Sequence, residues 1–234
     1  MNEKKSNKQY WLRLWEKQAG SDDIFEQLGR SSSSYSSYFL MINDICKSLE
    51  FERQDCVLDA GGGVGLTSIC LAGFVKKITV FDFSDKIVGK AKELTKAFDN
   101  ISVFKDDVLS MGNVSDEIYN KIIVGSILQY LDNYEQIKKC LSNFFSLMPI
   151  NGKIFFSSNP DVRKKKAHIE SYQHLGWDES KIEEALIIEE KRFWIDISTI
   201  EKIVSEVGFK SMRETQINPE LWDSTHMMNF VVEK

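Results

Sequence analysis

The fold is decided by the stretch Val57-Leu58-Asp59-Ala60-Gly61-Gly62-Gly63-Val64-Gly65-Leu66-Thr67. A short apolar run leads into an aspartate and then into glycines at alternate positions, before a helical pattern begins. Glycine lets the backbone adopt positive φ and come close to a ligand. The first turn of the following helix points its free amide groups toward whatever lies in the loop. The stretch therefore predicts a strand, a ligand-binding loop and a helix.

Two cofactor motifs compete for this loop. The dinucleotide fingerprint G-x-G-x-x-G/A fails from either starting glycine, because Leu66 or Ser68 occupies its third small position. The spacing resembles motif I of the class I S-adenosylmethionine (SAM) dependent methyltransferases, in which an acid stands two residues before the first glycine. The resemblance implies a methyltransferase that uses SAM. A nicotinamide-dependent oxidoreductase, a catalytically silent SAM-binding subunit and an ordinary glycine-rich turn remain alternatives.

Composition narrows the class of partner. The net charge of −5 argues against a general affinity for nucleic acid, which favours a basic face. None of the four cysteines forms a C-x-x-C pair, so we expect no metal site and a reducing, cytoplasmic setting. No apolar run approaches the ~20 residues that cross a membrane, and the start of the chain does not resemble a signal peptide. We expect a small-molecule substrate and a monomer or homodimer.

Strands and helices alternate after residue 55. Short continuous apolar runs predict strands that are covered on both faces at Cys56–Leu58, Ile78–Phe81, Ile101–Phe104, Ile122–Gly125 and Lys153–Ser157. Two further strands are predicted at Phe209–Gln216 and Met227–Glu233. Asp132 and Ser198 are the predicted N-caps of two helices between them. The fold class is α/β, and the resemblance implies a seven-stranded Rossmann-like sheet in the order 3-2-1-4-5-7-6 across residues 51–234.

Two regions lie outside the predicted sheet. Residues 1–50 are predicted as an N-terminal helical cap that closes over the cofactor. In that cap we expect Arg30 to pair with the methionyl carboxylate of SAM and Tyr38 to contact the substrate. Residues 161–195 are predicted as a helical lid inserted after the fifth strand, where ligands of open α/β sheets bind and where a cover excludes water.

The resemblance also assigns roles to residues at the strand ends. Asp82 would accept hydrogen bonds from the two ribose hydroxyls, because a carboxylate with two acceptor oxygens suits a vicinal diol. Phe83 would pack on adenine. Two neighbouring aspartates leave the register at the third strand open by one residue, and Asp107 is preferred to Asp106 for the adenine amino group. The other implied contacts come from Asp59, Gly61, Gly63, Gly65, Val108 and Ser126.

The sequence says less about the methyl acceptor than about the cofactor. A hydroxyl acceptor needs a base, which points first to histidine, and His168 and His174 both fall in the predicted lid. Arg163 and Lys164 open a basic run there, and their charges favour an anionic group such as a phosphate. We therefore expect methylation of oxygen on a small anionic metabolite. The alternative acceptor is a small amine.

Overall fold

Seven strands form one mixed sheet in the order β3-β2-β1-β4-β5-β7-β6. The computed structural model describes residues 7–30, 33–114 and 117–234. The strands are β1 (Cys56–Ala60), β2 (Lys77–Asp82), β3 (Ile101–Lys105), β4 (Lys121–Gly125), β5 (Lys153–Pro160), β6 (Ser211–Thr215) and β7 (Met227–Glu233). Strands β1 to β5 pair in parallel, whereas β7 runs antiparallel to β5 and β6. The predicted fold class and strand order are confirmed.

Helices surround the sheet and extend beyond its edge. They are α1 (Lys8–Gln18), α2 (Ile24–Gln27), α3 (Tyr35–Leu49), α4 (Leu66–Leu71), α5 (Asp85–Thr95), α6 (Tyr134–Ser146), α7 (Lys165–Ser171), α8 (Glu179–Lys191) and α9 (Ile197–Val207). Short 3-10 helices span Leu128–Tyr130, Val162–Lys164, Tyr172–His174 and Trp222–Thr225. Within the described part of the chain, none of the helices has the length and apolar composition needed to cross a bilayer.

The sheet has an apolar core on each face. Successive residues of a strand point to opposite faces, so Ile122 and Val124 pack with α6 and α9 while Ile123 packs with α3 on the other side. All three side chains are buried. Burial on both faces explains why these strands are continuous apolar runs instead of alternating ones.

Two predicted helix starts are wrong by one and two residues. Asn133 caps α6, because its side chain accepts a hydrogen bond from the Gln136 amide at 3.0 Å. Asp132 lies just outside and accepts from the Asn7 amide at 3.1 Å. Asp196, and not Ser198, caps α9. In both cases adjacent side chains are good capping groups, and the extended backbone that a cap requires decides between them.

The predicted N-terminal cap has two parts. Helix α1 packs against α2 and α5, whereas α3 packs into the core through Ile42, Ile45 and Leu49, in the cluster that Phe25 of α2 also joins. Helix α3 begins within the serine-rich stretch, because Ser34 and Ser37 form a reciprocal capping box. Residues 1–6 and 31–32 of the predicted cap lie outside the described residues.

The insertion after β5 is pinned at its base. Asp161 and Ile195 form an isolated parallel bridge. The Val162 amide donates to the Ile195 carbonyl at 3.0 Å, and the Ile195 amide donates to the Pro160 carbonyl at 2.9 Å. Helices α7 and α8 therefore belong to a segment whose two ends meet beside the end of β5.

Candidate active site

The loop after β1 turns through glycines with positive φ. The angles are +61° at Gly61 and +57° at Gly63, a region that favours glycine. A Cβ atom on Gly61 would lie 2.5 Å from Ile127 Cδ1. The Gly62 amide donates to the Phe81 carbonyl at 3.1 Å, which holds the loop against β2. The loop therefore presents bare backbone to the space above it.

This loop borders a cavity of about 190 Å³ at the edge where β1, β2 and β4 end, here called the cofactor cavity. Most of the predicted cofactor and substrate residues line it, namely Arg30, Tyr38, Asp59, Gly61, Gly63, Asp82, Phe83, Asp107, Val108 and Ser126. Gly65 is the N-cap of α4 and lies outside this lining. Parallel strands bring these residues together because their carboxyl ends share one edge.

Two buried carboxylates lie beneath the loop. Asp59 is 2% exposed and accepts a hydrogen bond from the Ser68 hydroxyl at 2.7 Å. Burial raises its pKa to about 6. Burial also raises the pKa of Asp82 to about 6, against the lowering effect of backbone amides, including that of Ser84. Both groups therefore carry charge in a place that disfavours it, which makes them ready partners for donors or a positive charge.

The structure distinguishes the two aspartates after β3. Both oxygens of Asp106 accept from backbone amides of its own loop, at 3.1 Å from Gly112 and 2.7 Å from Asn113. Asp106 is thus a loop-stabilising group. Asp107 accepts from the Leu109 amide through Oδ1, and its Oδ2 pairs with the Lys8 ammonium. Asp107 therefore accepts fewer hydrogen bonds from its own loop than Asp106 does.

Helix α1 covers one side of the cofactor cavity. The ring centroids of Trp11 and Tyr130 are 4.8 Å apart, and those of Trp15 and Tyr130 are 5.8 Å apart. Trp11 is buried, and both tryptophans line the cavity. With Lys8 on Asp107, these contacts attach α1 directly to residues at the ends of β3 and β4.

A second cavity, of about 410 Å³, adjoins the first. The two share lining residues Trp15, Leu28, Arg30, Tyr38, Met41, Ser126 and Tyr130. The rest of the second cavity includes Gln129, Ser158, Arg192, Glu220, Trp222, Asp223 and His226. A ligand in the second cavity therefore lies against the same side chains as a ligand in the cofactor cavity.

Charged and polar groups form the wall of the second cavity. Arg30 donates to Asp223 at 3.0 Å and to the Ser158 hydroxyl at 3.0 Å. Burial opposes ionisation of Asp223, but the Arg30 guanidinium holds its pKa below the ordinary value. Gln129 is 3% exposed and donates to the Ser126 carbonyl, while its Oε1 has no hydrogen-bond partner among the described residues. An acceptor that lacks a donor is costly when buried.

The residues predicted for catalysis and for anion binding lie elsewhere. Arg163 pairs with Asp161 and Glu214, each at 2.7 Å. Lys164 donates to the Met227 carbonyl at 2.7 Å. His168 is buried in the insertion, and His174 is exposed to solvent. Across the described chain, the linings of the two cavities include none of Arg163, Lys164, His168 and His174.

The sequence reasoning missed Asp223 and His226 as site residues. Both belong to the loop between β6 and β7, which meets the sheet at the edge where β5 ends. A usable signal was present, since Trp222, Asp223 and His226 place aromatic, acidic and basic side chains within one short loop. Polar groups clustered in a loop at this edge are typical of a binding site.

The fold and the glycine loop together define a class I SAM-dependent methyltransferase. The family model described as Nodulation protein S (NodS) matches residues 14–193. The chain belongs to this family. Nodulation protein S of Sinorhizobium fredii (strain NBRC 101917 / NGR234) is 24% identical over 109 residues, which cover 47% of this chain and 50% of that protein. The chain spans between about a third and half of the length of the first curated relatives it matches.

Solved structures show the same fold. The N-methyltransferase NodS from Bradyrhizobium japonicum WM9, in complex with S-adenosylhomocysteine (SAH), has a TM-score of 0.69 at 17% identity, with 95% of this chain and 97% of that chain covered. Magnesium protoporphyrin IX methyltransferase (ChlM) from Synechocystis PCC 6803, with bound SAH, has a TM-score of 0.65 at 17% identity, with 97% and 96% covered. The predicted methyltransferase family is confirmed, and both of these structures hold SAH.

Proposed function

We propose that this protein transfers the methyl group of SAM to the nitrogen of a small amine held in the second cavity. The observation that carries the proposal is the set of hydrogen-bond acceptors in that cavity. Asp223 and Gln129 both line it, and Asp223 keeps its Oδ1 as an acceptor without a partner among the described residues, because Arg30 and Ser158 both donate to its Oδ2. An ammonium group presents three N–H donors and a positive charge, which match these acceptors. The relative from Bradyrhizobium japonicum is named an N-methyltransferase, which supports the same choice.

The residues of the cofactor cavity fit SAM. The bare backbone at Gly61 and Gly63 leaves room for the methionyl part, and the ionised Asp82 offers its carboxylate to the ribose hydroxyls. Phe83 supplies an apolar surface for adenine, and Asp107 supplies an acceptor for the adenine amino group. When bound, SAM supplies a methyl group that is already activated on a sulfonium. The protein then has to orient the acceptor and remove a proton.

A second candidate is methylation of oxygen on a small anionic metabolite. Two guanidinium groups, those of Arg30 and Arg192, line the second cavity and favour an anion. Arg30 is already paired with Asp223, however, and Arg192 with Glu189 at 3.0 Å. The basic pair Arg163 and Lys164, on which the anionic prediction rested, is engaged by other groups. Amine methylation is therefore the better supported candidate.

Calorimetry and a methyl-acceptor screen test these proposals. SAM should bind and NAD should not. SAH formation should then be measured with a panel of primary amines, including ethanolamine and phosphoethanolamine, and with a panel of alcohols, including glycerol 3-phosphate. We expect turnover with amines and none with alcohols. Turnover of glycerol 3-phosphate in place of the amines would favour the oxygen candidate, and NAD binding without SAM binding would reject both.

A further inference from the structure

A pair of stacked imidazole rings forms part of the wall of the second cavity. His226 lines the cavity and is 3% exposed. Behind it lies His168, whose ring centroid is 3.8 Å away with an interplanar angle of 11°. Face-to-face stacking at this distance places one ring against the full face of the other. Two adjacent positive charges would repel strongly in a buried site, so the arrangement disfavours a state in which both imidazoles are protonated.

Hydrogen bonds identify which nitrogen of His226 carries the proton. The Thr225 hydroxyl donates to the Trp222 carbonyl at 2.8 Å and has only one proton to give. The contact of 2.9 Å between Thr225 Oγ1 and His226 Nδ1 must therefore have the ring as donor. A neutral ring protonated at Nδ1 keeps its lone pair on Nε2. His226 is thus set as a proton acceptor at Nε2.

The same reasoning identifies a protonated nitrogen of His168, which lies behind His226. The Tyr172 hydroxyl donates to Glu189 Oε1 at 2.8 Å, so its oxygen accepts from His168 Nε2 at 2.8 Å. Glu189 is held in turn by Arg192 at 3.0 Å. His168 therefore carries a proton on Nε2. This chain of hydrogen bonds keeps its ring fixed in orientation against His226.

Charged groups approach His226 from every side. Burial lowers the pKa of His226, Arg192 acts in the same direction, and Asp223 and Glu189 oppose them. Lys164 lies nearby on the Met227 and Ser224 carbonyls, and Arg30 neutralises much of the charge of Asp223. The uncharged imidazole keeps its Nε2 lone pair, and the Asp223 carboxylate favours the charged form once a proton arrives.

We infer that His226 Nε2 accepts the proton that the substrate nitrogen loses, an inference that rests on the proposed amine methylation. The ammonium group gives one proton to Nε2 and regains its lone pair. That lone pair forms the new nitrogen–carbon bond, while the sulfur–carbon bond breaks and its electrons remain on sulfur. The products are the methylated ammonium, SAH and protonated His226, which returns its proton to solvent when the product leaves.

The test compares the wild-type protein with His226→Gln in the SAH-formation assay, using the primary amines named above. We expect kcat to fall by about 100-fold at pH 7, as is typical when a general base is removed, while SAM affinity in calorimetry stays unchanged. The deficit should narrow as pH rises, because more of the amine then arrives without its extra proton. A purely structural effect would not narrow in this way.

Equal kcat and an equal pH profile in the two proteins overturn the inference and leave amine methylation standing. A loss of activity in His174→Gln in place of His226→Gln overturns it also. Failure of the wild type to methylate any amine rejects the proposed function itself. If His226→Gln does not fold, nitrogen-15 NMR of the wild-type histidines at pH 7 decides, because a His226 signal with the proton on Nε2 excludes the proposed role.

Discussion

The two cavities are built in different ways. The cofactor cavity is formed by loops that each follow directly from a strand end, and part of its wall is bare backbone at Gly61 and Gly63. The second cavity is formed by side chains from distant segments, with Arg30, Ser158 and Asp223 meeting in one hydrogen-bonded cluster. A wall made of backbone atoms can bind the same ligand in proteins whose sequences differ. A side-chain wall can change its ligand with a few substitutions.

The largest effect on the cofactor cavity is expected from a substitution at Asp82. The substitution Asp82→Ala removes the buried acceptor at the end of β2 and should weaken SAM binding by about 1.5–3 kcal/mol, the range for a hydrogen bond to a charged group. That is roughly 10- to 100-fold in affinity by calorimetry. Asp85→Ala, at an exposed carboxylate in the first turn of α5, is the matched control. Unchanged SAM affinity in Asp82→Ala would reject the assignment to the ribose.

Arg30 tests whether the two cavities use separate side chains. Arg30→Gln leaves Asp223 without its guanidinium partner and should lower the free energy of unfolding by about 1–3 kcal/mol, less than for a fully buried pair. SAM affinity should stay near that of the wild type. Adding Asp223→Asn should recover stability in the double variant. A large loss of SAM affinity in Arg30→Gln would instead support the predicted pairing of Arg30 with the methionyl carboxylate.

The substitution Asp59→Asn tests how much the buried Asp59 carboxylate lowers the free energy of unfolding when SAM is absent. Its pKa of about 6 lies above the ordinary aspartate value, so the folded protein holds a proton that the unfolded chain releases between about pH 4 and 6. The contribution of this group to stability therefore falls as pH rises through that window. Asp59→Asn should be more stable than the wild type at pH 8 by about 1–3 kcal/mol, with little difference at pH 4.

Denaturant unfolding at both pH values measures this effect, with SAM absent. Asp99→Asn, at an exposed aspartate in the turn before β3, is the control and should match the wild type at both. Equal stability of Asp59→Asn and the wild type at pH 8 would show that the buried carboxylate is not destabilising. Asp59→Asn should at the same time bind SAM more weakly.

The sequence predicted the fold and the cofactor cavity because both depend on local pattern. A continuous apolar run followed by Asp82 specifies a buried strand and an acid at its end, and parallel pairing then brings strand ends together. The second cavity depends on tertiary packing. Nothing in the local pattern around Arg30 or Asp223 reveals that the two side chains meet across 193 positions of the chain. The histidines show the same limit, since the predicted His168 and His174 belong to the insertion and do not line the cavity, whereas His226 does.

The pinned base of the insertion has a consequence for how this protein can change. Residues 161 and 195 are joined by backbone hydrogen bonds, so the chain leaves the sheet and returns to it at almost the same point. The strands before and after the insertion are therefore placed as they would be if a short link replaced it. A segment attached in this way is a natural unit for exchange between relatives. Grafting another family member's insertion between these two residues should alter acceptor choice while the sheet and the SAM-binding loop keep their geometry.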